Sequence, residues 1–109
     1  MPYNEQTAER ILQRLARRRG FVGKKMFGGV GFLLAGNMCV GVWKESLILR
    51  VGPDAYQDTL AEPFVKEFDI TGRAMTGWVM VHPDGFADDA ELGDWIERAI
   101  RFVKTLPAK

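Results

Sequence analysis

Three consecutive runs between Lys24 and Gly52 alternate apolar residues with polar, small or opposite-facing ones: Val30, Phe32, Leu34; then Met38, Val40, Val42; then Leu47, Leu49, Val51. A period of two marks a strand with one face buried. Gly36-Asn37 offers a tight two-residue connection between the first two runs, because glycine accepts positive φ. Lys44-Glu45-Ser46 makes the next reversal. The pattern predicts a three-stranded antiparallel meander as the floor of a small domain.

Helical spacing frames that floor. Residues 5–19 read as a helix, with Asn4 as N-cap, Glu5 and Glu9 near its positive end, and Gly20 as its left-handed stop. Ala8, Ile11, Leu12 and Leu15 form its core-facing stripe, and Arg10, Arg14, Arg17 and Arg18 share an adjacent outward face. Pro53 opens a short helix through Leu60, and Pro63 ends it. Residues 65–71 alternate as an edge strand, with Glu67 and Asp69 on one side. Trp78 to Val81 is apolar throughout, as a strand buried on both faces would be, and His82-Pro83-Asp84-Gly85 closes it with a turn. Asp88 and Glu91 have capping-box spacing ahead of a final helix whose buried stripe is Leu92, Trp95, Ile96, Ala99 and Val103, with Ile100 alongside. Gly93 inside that helix predicts a close approach, most simply to the sheet. The order α-β-β-β-α-β-β-α specifies a two-layer α+β domain, an antiparallel five-stranded sheet with helices packed on it, formed by residues 1–109 as one unit.

At 109 residues, with about half of them apolar, the chain is long enough for a core without disulfide or metal staples. Cys39 is the sole cysteine, which excludes an internal disulfide. No apolar run approaches a membrane span, and the polar N-terminal stretch does not read as an export signal, so a cytoplasmic location is expected. Net charge is +1, but residues 1–52 carry nine Lys/Arg and three Glu, whereas residues 53–109 carry six Lys/Arg and eleven Asp/Glu. Such a dipolar chain presents a basic patch to an acidic partner, pairs with a second copy of itself, or interleaves the two halves on folding.

No catalytic set emerges. The glycines of Lys24-Lys25-Met26-Phe27-Gly28-Gly29 lie near lysines, but a phosphate cradle needs them to open a helix, and these lead into a strand. They read as a bulge, a turn or close packing. One histidine and one cysteine leave neither a nucleophile–base pair nor a metal set, so no cofactor or metal is expected. Arg50, Arg73, Trp78 and His82 are candidates for lining a groove that takes an anion or a peptide, since arginine recognises oxyanions bidentately and tryptophan offers a flat surface. The plainer alternative ties Arg50 to the Arg73 loop or to Asp69, puts Trp78 in the core and leaves His82 preceding a turn. The arginine stripe is either a solvated helix face or a contact for nucleic acid or acidic protein.

The segments Lys25-Met26-Phe27-Gly28-Gly29-Val30-Gly31, Leu49-Arg50-Val51-Gly52, Phe68-Asp69-Ile70-Thr71-Gly72-Arg73-Ala74-Met75 and Gly77-Trp78-Val79 resemble the N-terminal domain of the TfoX/Sxy proteins, regulators of competence genes in bacteria. The likeness runs from about Lys24 to the final helix. It implies a small α/β domain with an antiparallel sheet and a part in transcriptional regulation beside a cyclic-AMP receptor-type activator. It implies no enzymatic reaction and supplies no catalytic residues. Full-length members carry a second, helical C-terminal domain, and these 109 residues correspond to the first.

Overall fold

The computed structural model describes residues 3–16, 18, 20–26, 28–69 and 72–108. Helix α1 spans Glu5–Leu15, followed by β1 (Phe21–Met26), β2 (Gly29–Leu34), β3 (Asn37–Trp43) and β4 (Ser46–Arg50). Then come α2 (Pro53–Leu60), β5 (Val65–Glu67), β6 (Trp78–Val81), a single 3-10 turn at Pro83–Gly85, and α3 (Asp89–Val103). The strands form one antiparallel sheet in the order β1-β2-β3-β4-β6-β5.

The α+β antiparallel design holds, but the sheet has six strands instead of five. The addition is β1, an edge strand whose residues are mostly exposed and include Gly23, Lys24 and Lys25. Exposure removes the apolar alternation by which a strand is read, and the lysines suit an edge that resists further pairing. The first hairpin closes one residue earlier than predicted. Leu34 pairs with Asn37, and Ala35 and Gly36 take φ of 51° and 84°. Positive φ at both central positions belongs to the tight turns that match strand twist, so Ala35 is held in a region an L side chain seldom enters. Of residues 65–69, Val65–Glu67 form a strand, which does lie at the sheet edge, and residues 70 and 71 lie outside the described residues.

Both long helices begin as expected. Asn4 Oδ1 accepts the Thr7 amide proton at 3.0 Å. At α3, Asp88 and Glu91 form the reciprocal capping box. All three helices pack on one face of the sheet. Ile11 and Leu15 from α1, Tyr56 from α2, and Leu92, Trp95, Ile96, Ala99, Ile100 and Val103 from α3 bury Val40, Val42, Leu47, Leu49, Val79 and Val81. Leu12, expected in the α1 stripe, is instead 49% exposed. Trp95 satisfies its indole by donating Nε1–H to Gly85 O at 2.9 Å, so the ring is buried at no polar cost. A β-bulge at Phe32/Leu33 leaves Cys39 between the paired positions, and Cys39 and Val40 both lie in this core. Burial pushes the Cys39 thiol up to about 12, against a slight opposing pull from Arg50.

Candidate functional site

The same alternation that fills the core sends every second strand residue to the other face, which no helix covers. Pair by pair, that face carries Val22 and Lys24 from β1, Gly31 and Leu33 from β2, Met38, Gly41 and Trp43 from β3, and Ile48 and Arg50 from β4. Trp78 and Met80 from β6 and Lys66 from β5 complete it. A second, smaller core of Ile48, Met80 and Phe68 lies here, with Trp43 and Trp78 packed over it. Gly31 and Gly41 face each other across β2 and β3, and a Cβ at Gly41 would meet the Met38 methyl at 2.8 Å. The gap between the strands is thus filled by a flexible thioether. Val22 is 65% exposed, and Leu33, Met38, Trp43 and Trp78 remain half-buried. Among the described strand positions of this face there are cations and no acidic residue.

Arg50 sits at one end of the face. Its guanidinium carbon is 5.2 Å from the Trp78 ring centroid and 5.9 Å from that of Phe102, while Trp78 stacks on Phe68 at 5.8 Å. Arg50 is therefore held by rings and not by Asp69, an arrangement that orients a guanidinium without neutralising it. At the far end of β3, Lys44 Nζ lies 4.6 Å from the Trp43 centroid. Each tryptophan on the face already carries a cation.

His82 does not join Arg50. It follows β6, at the opposite end from Trp78, and four residues of strand separate them by about 13 Å. His82 Nδ1 accepts the Asp84 amide proton at 3.1 Å, capping the 3-10 turn, and its ring lies 6.4 Å from Phe64. An exposed ring with that nitrogen occupied by a backbone donor is built as a cap. Arg73 is exposed on the loop from Phe68 to Trp78. Of the expected groove, Arg50 and Trp78 come together and His82 stands apart from them. Lys24 and Lys25 are both exposed on β1, Lys24 on the helix-free face and Lys25, opposite Val30, on the other. The neighbouring glycines serve the β1–β2 turn and sheet pairing, with Gly28 at φ 76°.

Arg10 and Arg14 of α1, and Arg18 just beyond its end, reach toward α3. Arg10 meets Asp89 at 2.9 Å and also donates to Phe86 O at 2.9 Å and Ala87 O at 3.3 Å. Arg18 pairs with Glu97. Arg17 lies outside the described residues. Charges from the two halves of the chain thus interleave along the helix layer, which leaves the helix-free face as the basic one. Gly93 is explained here too, for a Cβ at that position would overlap the Arg14 guanidinium. The close approach is to α1 and not to the sheet.

Sequence reasoning missed Val22, Leu33, Met38, Trp43 and Lys66 as members of one surface. Leu33 and Trp43 carry a signal as apolar residues at off-phase positions of predicted strands, whereas Met38, expected on the core face with Val40 and Val42, is moved to this face by the β-bulge at Phe32/Leu33. Among the described residues no group of His, Cys, Asp and Glu could hold a metal ion, and no helix is long and apolar enough to cross a membrane. Compared with known proteins, the chain matches the family model of the TfoX N-terminal domain over residues 13–103. Neither the curated proteins nor the solved structures yield a match.

Proposed function

Because the chain belongs to the TfoX N-terminal domain family, we propose that it is a non-catalytic regulatory domain that works by docking a protein on the helix-free face of its sheet. The observation that carries this reading is the composition of that face. Val22, Leu33, Met38, Trp43 and Trp78 offer apolar contact, and Lys24, Lys44, Arg50 and Lys66 surround it without acidic neighbours on the strands. Apolar area with tryptophan in it and arginine beside it has the composition of an energetic hot spot. Charge complementarity selects an acidic surface with apolar side chains as the occupant. The partner implied by the family likeness is a cyclic-AMP receptor-type transcription activator, and the setting is competence-type gene regulation in the cytoplasm.

Single-stranded nucleic acid is the rival occupant of a basic, aromatic sheet face, since bases stack on exposed rings. Here Trp78 has Phe68 and Arg50 against it and Trp43 has Lys44, so stacking requires those contacts to be displaced. Arg10 and Arg18, engaged by carboxylates, do not favour nucleic acid either.

The test is titration of the intact chain with a purified cyclic-AMP receptor-type activator and with single-stranded DNA. Saturable binding of the activator, weakened by Val22→Asp and by Lys24→Glu with Lys66→Glu, supports the reading. Binding of DNA alone, with the steep salt dependence of phosphate contacts, or activator binding indifferent to these changes, would refute it.

A further inference from the structure

The helix layer holds a feature that docking on the opposite face leaves unused. Helix α1 places Arg10 and Arg14 one turn apart on the side that meets α3, and Arg18 follows just beyond the helix end at Leu15. The outer two are tied to Asp89 and Glu97. Arg14 between them has no hydrogen-bond or ion-pair partner among the described residues. Its guanidinium rests on the backbone of α3 at Gly93, the one residue type that leaves room for it. Except for proline, glycine is the poorest residue for a helix interior, yet it stands where Arg14 needs the space. A cleft of about 660 Å³ opens at this place, and its lining includes Arg10, Gln13, Arg14, Arg18, Asp89 and Glu97.

We infer that this cleft binds a small phosphate-bearing anion, gripped by Arg14. A guanidinium presents a fork of N–H donors that matches phosphate oxygens in pairs. The lining holds three guanidinium groups against two carboxylates, and the carboxylates face arginines that already occupy them. The unmatched positive charge is therefore concentrated at Arg14. A phosphate group concentrates up to two charges at the Arg14 fork and exploits it better than a carboxylate group, which brings one charge there against the same repulsion from Asp89 and Glu97. The cleft lies within the size range of small-molecule sites and exceeds what free phosphate fills, so a phosphorylated small molecule fits the space. The site is on the helix layer, and its existence does not depend on what docks on the bare sheet face.

The experiment titrates the intact chain with inorganic phosphate, pyrophosphate and succinate at constant ionic strength, following the arginine side-chain N–H signals by NMR. The expected result is a saturable shift of the Arg14 signal, strongest with pyrophosphate and weakest with succinate. Arg14→Gln lowers pyrophosphate affinity by about tenfold or more, the usual weight of charge-assisted hydrogen bonds. Gly93→Ala displaces the guanidinium and weakens binding as well, in a protein whose helix is better formed, which separates loss of the site from loss of the fold. No saturable shift with phosphate or pyrophosphate overturns the inference. So does equal pyrophosphate affinity in the folded wild type and Gly93→Ala protein.

Discussion

The two faces of the sheet are built from the same strands and solve different problems. One is sealed by three helices, and its strand residues Val40, Val42, Leu47, Leu49, Val79 and Val81 are fully buried. The other is closed only in its middle, where one phenylalanine and two tryptophans cover Ile48 and Met80, and it turns half-buried apolar residues and cations to water. The difference separates stability from use. A face that supplies the core cannot also be offered to a partner, whereas a face with a thin cover keeps area in reserve.

The largest expected effect probes that thin cover. Phe68→Ala removes the ring over Ile48 and Met80 and costs about 4 kcal/mol in chemical denaturation. A loss under about 0.5 kcal/mol, the range of ordinary surface changes, would mean that the small core does not exist. Leu49→Ala, fully buried on the helix side, costs about 3 kcal/mol. If the two substitutions act on separate cores, their effects combine close to additively in the double variant. Gly93→Ala comes next and has the opposite sign. It gains up to about 1 kcal/mol of helix propensity, because only the mobile end of Arg14 must move aside; destabilisation would show that the seam is tighter than its geometry implies. Smallest is Val22→Asp, which changes stability by less than about 0.5 kcal/mol at a 65% exposed position. The same change weakens partner binding, so a face that is sensitive for docking and insensitive for folding would sharpen the contrast.

Much of the helix-covered side was legible in the sequence because burial writes a period. The capping residues Asn4, Asp88 and Glu91, the α3 stripe from Leu92 to Val103, and the buried β6 all stand where spacing put them. What the spacing could not convey depends on long-range geometry. Strand β1 is exposed and therefore leaves no alternation, and the hairpin at Ala35-Gly36 asks Ala35 for a conformation its identity does not advertise. The helical period groups Arg10 and Arg14, whereas Arg18 lies past the helix end at Leu15, and only the packing of α1 on α3 decides that Arg10 and Arg18 meet Asp89 and Glu97. Trp78 and His82 looked like neighbours in the chain. Strand rise alone sets them about 13 Å apart, a separation that argues against a shared groove.

The central claim is that the helix-free face is the working surface, and the protein carries its own reporters for it. Trp43 and Trp78 lie on that face, and Trp95, hydrogen-bonded to Gly85 O, lies on the other. In a titration with the purified activator, the indole N–H signals of Trp43 and Trp78 are predicted to shift or broaden while that of Trp95 stays in place. A response from Trp95 with Trp43 and Trp78 unmoved would contradict the account.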